Sequence, residues 1–447
     1  MTLQVKTEFA TDAGRLIEAA IDWLEPVFRE IRARERINQR RVLKAFQLAG
    51  VAETDLAGST GYGYGDPGRE KLEQIYATLF GTEAALVRPQ IASGTHALTA
   101  LLFGLLRPGD HLILGAGLPY ETLQRVIWGP AAGNLSEYGV DAQVVPPKED
   151  GRIDVEAILA RVTPNTRMIM IQRSRGYEGG ASHTIEELAQ AARRLKAGAP
   201  GVLLAVDNCY GEFVELYEPT QVGFDLAAGS LTKNPGGGLA PSGGYIVGPA
   251  EAVEQVAARV TAPGIGLAVG PTLGLIRSMM QGLFVAPHVV SQALQGSVLV
   301  SWVMEALGFP VRPRWHEPRT ELVQQVVLGD PEAVVAFCRG IQAASPVDSR
   351  AHPVAAQLPG YRDPVIMAAG TFVLGSSIEM SADGPMRPPY AVYVQGGLSL
   401  GHVALALERA IQELLQLGRI PDDRWRAAWA RLEAPADVGS SGRPESF

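Results

Sequence analysis

From residue 8 to residue 48, apolar and charged positions alternate at helical spacing, with Leu16, Ala19, Ala20 and Trp23 on one face and Val42, Leu43 and Phe46 on another. This predicts N-terminal helices lying on a larger body. Leu56 to Gly68 is glycine-rich and breaks the period, which predicts an extended loop. A helix is expected from Arg69 to about Phe80, and from Glu83 onward short apolar runs alternate with amphipathic segments. The runs Ala84 to Val87, His111 to Leu114, Ala142 to Val145, Met168 to Ile171, Val202 to Val206, Leu226 to Ala228 and Tyr245 to Val247 read as strands. Thr95 to Leu106 and Thr184 to Lys196 read as helices between them, the second opening with the capping pair Thr184 and Glu187. Such alternation predicts an α/β fold with a mostly parallel sheet covered on both faces. Ligands of such sheets bind beyond the carboxyl ends of the strands.

After about residue 290 the pattern changes. A helix, strand-like stretches at Phe309 to Arg314 and Leu322 to Val327, and a helix from Pro331 to Ala344 come first. Strands around Val365 to Leu374 and Ala391 to Val394 and a closing helix from Gly401 to Leu417 complete a smaller α+β domain. The expected division is N-terminal helices and loop at 1–65, a large domain at 66–290 and a small domain at 291–437. The polar, glycine-rich stretch 438–447 is expected to be disordered.

Composition narrows the function classes. With 447 residues, 47% of them apolar and 19% charged, the chain is globular and long enough for two or three domains. A net charge of -8 argues against nucleic acid or an anionic membrane as the main partner, so any anionic ligand needs a local cluster of positive groups. Two cysteines and a start without the charged-then-apolar pattern of a secretory signal point to a reducing cytoplasm. The apolar segment from Thr261 to Val290 is interrupted by Arg277 and by recurring Pro and Gly, so neither side is expected to supply the ~20 residues needed to cross a bilayer. A buried core or a subunit interface is expected there.

The stretch from Gly229 to Gly244 is the candidate chemical centre. Lys233 follows an apolar segment, is preceded by Ser230 and Thr232, and runs into glycines that cannot form a stable helix. An amine so placed is a candidate Schiff-base nucleophile, although read alone it is more plainly a solvated surface charge. Three other features fall at predicted carboxyl ends of strands. Ser93-Gly94-Thr95-His96 opens a helix with Ser93 as N-cap and free amides that suit a phosphate, and it equally reads as a plain capped helix. Asp207 ends a buried run and needs a cationic partner, such as a protonated pyridine nitrogen, or else caps the following turn. Tyr120, in a loop after a strand, can stack on a planar ligand or simply pack. Together these supply a phosphate cradle, a stacking surface, a carboxylate for a ring nitrogen and an amine for an aldehyde, which is the set that pyridoxal 5'-phosphate requires. Gly63-Tyr-Gly65-Asp-Pro-Gly68 formally matches a dinucleotide fingerprint, but no apolar strand precedes it and Pro67 sits inside it. His96, His183 and His288 show no metal-ligand spacing, so no metal site is expected.

Ser230-Leu-Thr-Lys233 followed by glycines, Asp207-Asn208 upstream of it and Ser93-Gly94-Thr95-His96 resemble the fold-type I pyridoxal-phosphate enzymes of the cystathionine and methionine lyase group. Gln172-Arg-Ser-Arg-Gly-Tyr177 and Ser381-Ala-Asp-Gly-Pro-Met-Arg-Pro-Pro-Tyr390 narrow the resemblance to the methionine gamma-lyase-like "aluminium resistance" proteins, over about residues 55 to 420. The resemblance implies that Lys233 carries the cofactor aldehyde, that Asp207 pairs with the ring nitrogen and that Tyr120 lies on the ring face. It places Ser93, Gly94, Thr95, Ser230 and Thr232 at the phosphate. It further implies a homodimer or homotetramer with a shared active site, in which Tyr62 and Tyr64 reach a neighbouring subunit. In the lyases a Tyr-x-Arg segment makes that contact with the neighbouring subunit's phosphate, whereas the similar position here reads Tyr62-Gly-Tyr64, so the arginine is missing and only a tyrosine contact is implied. The lyases' Arg-Leu-Ser-x-Gly motif is likewise altered to Gly397-Leu-Ser-Leu-Gly401, so Arg387, Arg173 and Arg175 are the candidates for a substrate carboxylate. The implied activity is elimination of a sulfur group from an amino acid, with Tyr120 placed to protonate the departing thiolate. Transamination, aldol cleavage, or a non-catalytic protein that keeps the cofactor are the alternatives.

Overall fold

The computed structural model describes residues 11–129, 132–176 and 182–433. Two N-terminal helices, α1 (Asp12–Trp23) and α2 (Glu25–Ala49), lead through a glycine-rich loop into α3 (Pro67–Phe80). There follow β1 (Ala84–Arg88), α4 (Gly94–Leu105), β2 (His111–Leu114), α5 (Glu121–Ile127), β3 (Asp141–Val144) and α6 (Val155–Leu159). Then come β4 (Thr166–Gln172), α7 (Ile185–Gly198), β5 (Leu203–Asp207), β6 (Leu226–Ser230), β7 (Gly244–Gly248) and α8 (Ala250–Val260). The long α9 (Ile276–Ala306) leads to β8 (Val311–Arg312), β9 (Gln324–Val327), α10 (Pro331–Ala343), β10 (Val365–Ala368) and β11 (Ser381–Pro385). β12 (Ala391–Gln395), α11 (Leu400–Gln416) and α12 (Asp422–Glu433) close the described chain.

Helix starts are set by side-chain caps. The Asp66 carboxylate accepts from the Arg69 amide at 3.0 Å, with Pro67 preorganising the first turn of α3, and Ser93 accepts from the His96 amide at 3.1 Å to open α4. The expected pair at Thr184 forms, its hydroxyl accepting from the Glu187 amide at 3.1 Å. Gly81 ends α3 at φ 64°, in the left-handed region that a side chain would resist.

The larger sheet has seven strands in the order β1-β7-β6-β5-β4-β2-β3. Only β7 runs antiparallel to its neighbours; β2 through β6 form the parallel part. Its central strands are buried on both faces, which is why they read as continuous apolar runs. The fold class is the expected one, an α/β body with a mostly parallel sheet and a separate antiparallel sheet of order β10-β11-β12-β9-β8.

The structure corrects several expectations. Ser381–Pro385 is a strand, buried throughout, that the run Ser-Ala-Asp-Gly-Pro does not announce. It is held by two partners, β10 and β12, so its neighbours override its own weak preference. The strand expected to reach Leu374 stops at Ala368, and a Cβ at Gly370 would come within 2.2 Å of the Val347 carbonyl oxygen. α12 was not foreseen. Of the apolar segment from Thr261 to Val290, the part from Ile276 onward is not interrupted at Arg277 but opens one helix of 31 residues that runs through Pro287. By length and composition α9 is long and apolar enough to cross a membrane, yet most of it is buried inside the fold. It is the central pillar of a core that joins α1, α2 and α3 to one face of the large sheet and to the small sheet. The tail at 438–447 and Tyr177 lie outside the described residues.

Candidate active site

The carboxyl ends of β2, β4, β5 and β6 lie side by side, because those strands are parallel neighbours. Gln172 stands in register with Asp207, and Asp207 with Ala228, so the loops that follow converge on one point. A cleft of about 350 Å³ opens there, bounded on its other side by residues of the small sheet. Ser93, Gly94 and Thr95 line it from the start of α4, Tyr120 from the turn into α5, and Ser230, Thr232 and Lys233 from the end of β6. Asp207 lines it from the end of β5.

Asp207 is 2% exposed, and its Oδ1 accepts from the Cys209 amide at 3.1 Å. Burial pushes its carboxyl above the usual range, and Lys233 and the Cys209 bonds draw it back only in part. Lys233 is half-buried, with Nζ over the Tyr210 ring at 4.2 Å from the centroid. Burial opposes its charge, but Cys209, Tyr210, Asp207 and Tyr120 around it outweigh burial and hold the ammonium well above its usual value. The thiol of Cys209 is itself raised by burial and stays protonated, so Asp207 is the partner that matters at neutral pH. Among the described residues no ion pair within 4.0 Å joins Asp207 to Lys233, and the cleft lies before both.

The remaining lining is rich in hydroxyls. Ser230 Oγ and Thr232 Oγ1 are 2.9 Å apart, and Thr95 Oγ1 lies 3.1 Å from the Tyr120 hydroxyl. A Cβ at Gly94 would come to 3.0 Å from Cys209 Sγ and 3.4 Å from Ser230 Cβ, so the helix start and the end of β6 close around a space that only backbone fits. Such a mix of amides, hydroxyls and a helix N-terminus suits a phosphate. The donor set therefore fits pyridoxal phosphate. Gln172 holds Tyr120 in place, its Oε1 accepting from the Tyr120 amide at 3.0 Å while its Nε2 donates to the Ser174 carbonyl at 2.9 Å. Burial raises the Tyr120 hydroxyl well above its usual value, so it stays protonated.

Other residues named from the sequence lie outside the cleft lining. Arg173 is fully buried and binds Glu215 at 2.7 Å, while Arg175 binds Glu321 at 2.8 Å. Arg387 bonds Glu121 and Asp363, each at 3.0 Å, and Glu121 itself lines the cleft. Tyr62 and Tyr64 are 72% and 67% exposed and pack against each other on the outer face of their loop. Conversely, the structure brings in Tyr210, Gln172, Ser377, Asp383 and Gln395, which the sequence reading did not single out as site residues. Tyr210 lies two residues beyond Asn208, and Asp383 lies within the family-like stretch 381–390, so position was a usable signal for both.

The sequence matches the methionine gamma-lyase family over residues 13–415. The chain belongs to the methionine gamma-lyase family. It is 49% identical over 403 residues to the uncharacterized protein YnbB of Bacillus subtilis (strain 168), covering 90% of this chain and 95% of YnbB. It resembles the crystal structure of a carbon-sulfur lyase involved in aluminum resistance from Clostridium novyi NT with a TM-score of 0.86 at 42% identity, over 90% of this chain and 96% of that one. L-methionine gamma-lyase of Pseudomonas putida is 31% identical over 191 residues, 43% of either chain. As a member of this family the protein has the fold-type I architecture of pyridoxal-phosphate-dependent enzymes.

Proposed function

We propose that this protein is a pyridoxal-phosphate-dependent carbon-sulfur lyase that, consuming one water, splits a sulfur-containing amino acid into a thiol, ammonia and a 2-oxo acid. One observation carries the reading: Lys233 and the buried Asp207 border one cleft without pairing, beside a neutral cradle of amides and hydroxyls. In this reading Lys233 would hold the cofactor's aldehyde carbon and Asp207 its ring nitrogen. Tyr120 would cover a ring face, and Ser93, Gly94, Thr95, Ser230 and Thr232 would hold the phosphate.

When bound, the cofactor supplies an electron sink for charge that develops at the substrate α-carbon. Lys233, exchanged for the substrate amine, takes the α-proton at Nζ, a transfer worth about 10²–10⁴ in rate. Asp207 would keep a proton on the ring nitrogen by offering a carboxylate from a buried position. The Tyr120 hydroxyl, protonated and bonded to Thr95, delivers a proton to the departing sulfur. Arg387 receives the substrate carboxylate in exchange for Glu121, its partner at the cleft wall. Arg173 and Arg175, each held by a carboxylate, are the lesser candidates for that role. The exposed Tyr62 and Tyr64 complete the site of a neighbouring copy in a homodimer or a tetramer.

The experiment is a panel of sulfur amino acids added to the purified protein, with absorbance, thiol and 2-oxo acid followed together. Thiol and 2-oxo acid in equal amounts support the lyase. A 2-oxo acid without thiol marks an aminotransferase, and no spectral change with any amino acid marks a non-catalytic protein. Lys233→Ala is expected to lose the absorbance band of covalently held cofactor, and turnover should fall by more than about 10³-fold. A band that persists in that variant overturns the assignment.

A further inference from the structure

The segment that follows Asp207 is bent in an unusual way. Tyr210 and Phe213 both have positive φ, 72° and 62°, which residues with bulky side chains rarely adopt. Two buried asparagines hold the bend from beneath, and each side-chain amide donates to a pair of main-chain carbonyls two residues apart. Asn38 donates to Phe213 and Glu215 at 2.9 and 3.1 Å, and Asn234 donates to Tyr210 and Glu212, both at 2.9 Å. Asn234 is fully buried and its Oδ1 has no partner, so this residue serves the fold through its donors alone. It is also the residue next to Lys233. The clamp therefore ties the lysine turn directly to the loop that carries Tyr210.

The small sheet's side of the cleft adds a second hold. The Tyr210 hydroxyl donates to Ser377 Oγ at 3.2 Å, and the neighbouring Ser376 hydroxyl donates to the Thr232 carbonyl at 3.1 Å. Its backbone is clamped, its hydroxyl is bonded to Ser377, and its ring centroid lies 4.2 Å from Lys233 Nζ. An aromatic face carries negative charge density and attracts a cation at this range.

We propose that Tyr210 is a further catalytic residue whose ring face, fixed by Asn234 and Ser377, seats the Lys233 ammonium each time that amine holds a proton. The inference rests on Lys233 being the reacting amine of the proposed lyase. When Lys233 removes the α-proton, a C–H bond breaks, an N–H bond forms at Nζ, and the electron pair stays with the carbon. The positive charge then arrives at a position where an oriented ring already waits, with no side-chain rearrangement needed. Asn234 is a positioning residue in this scheme, acting only through Tyr210.

The test uses the full-length protein freed of cofactor, so that it does not depend on turnover. The rate of acylation at Lys233 is followed by mass spectrometry across pH, which gives the midpoint at which the amine loses its proton. The groups facing Lys233 are Asp207 and Cys209 from the end of β5, Tyr120 from the turn into α5, and Glu212 and Tyr210 from the bent loop, and all but Tyr210 are kept. Tyr210→Leu preserves an apolar neighbour and removes the ring, so the midpoint should fall by about 0.5–1 pH unit. Tyr210→Phe keeps the ring and its backbone clamp but loses the bond to Ser377, so it should lower the midpoint by less than Tyr210→Leu, and Asn234→Ala should likewise lower it by part of that amount. An unchanged midpoint in folded Tyr210→Leu, or an equal fall in Tyr210→Phe, overturns the proposal. If Tyr210→Leu does not fold, Asn234→Ala carries the same test, and an unchanged midpoint there overturns it. Failure of the reading of Lys233 as the reacting amine shows separately, as a covalent-cofactor band that persists in Lys233→Ala, and failure of the lyase reading as 2-oxo acid formed without thiol.

Discussion

On the wall of the cleft made by the seven-stranded sheet, the side chains proposed for the chemistry stand close behind strands' carboxyl ends: Tyr120 after β2, Asp207 at the end of β5, Lys233 after β6. The opposite wall is made by Met367, Ser377, Asp383 and Gln395, drawn from β10, β11, β12 and a connecting loop. On the first wall, position follows from main-chain geometry, because parallel strands deliver their ends to one edge. On the second, position follows from how antiparallel strands pair. Asp383, for example, is held by the Gln395 amide at 2.6 Å across the β11–β12 pairing. A wall built of strand ends suits a ligand common to a family, and a wall built of side-chain pairings can vary with the substrate.

Three substitutions sharpen or break this contrast. Asp207→Asn should have the largest effect, reducing turnover by about 10²–10³-fold through loss of the charge opposite the ring nitrogen. In the cofactor-free protein the same change should leave the melting temperature equal or higher, since it removes a carboxylate whose burial is unfavourable. A melting temperature that drops with full activity would place Asp207 in the structural framework instead. Asp383→Asn should act on the other wall alone, raising KM or changing the preferred amino acid by about 10- to 100-fold. The cofactor absorbance should stay intact, and its loss would show that the two walls do not divide the work.

The smallest effect concerns the foundation of the first wall. Glu212 is fully buried, accepts from the Tyr245 hydroxyl at 2.7 Å, and is pushed by burial from 4.5 to about 8. A carboxyl raised in the folded state contributes stability that is complete below its unfolded value and is lost as pH rises through the folded one. Melting temperature should therefore decline between about pH 5 and pH 8, and Glu73, pushed up by burial to about 7 beside Arg88, adds to the decline. Glu212→Gln should flatten part of that slope. A wild-type protein with constant melting temperature over this range would contradict the buried, protonated state of Glu212.

Much of the first wall is legible because its strands are buried on both faces. Continuous apolar runs at 84–87, 111–114, 168–171 and 202–206 mark strands within a residue or two, and residues just beyond each run are then candidates for the site. The same reasoning fails for β11, whose Asp383, Gly384 and Pro385 are poor strand formers on their own. It also fails for α9, where Pro287 and two glycines, Gly282 and Gly296, suggest interruption although packing against the core keeps the helix continuous. Nothing in the order Asp207-Asn208-Cys209-Tyr210 signals that Tyr210 adopts a positive φ.

By itself the sequence determined the α/β alternation, the strand ends and the set of groups that border the cleft along β2, β5 and β6. Those features depend on residues near one another in the chain, where hydrophobic period and loop chemistry leave a direct trace. Tertiary structure alone decided which arginines are already paired, where Asp383 points, and how Asn234 and Ser377 bring the Tyr210 ring to Lys233. Each of those contacts joins positions far apart in the chain or turns on one backbone angle, and the packing that selects them is a property of the whole fold.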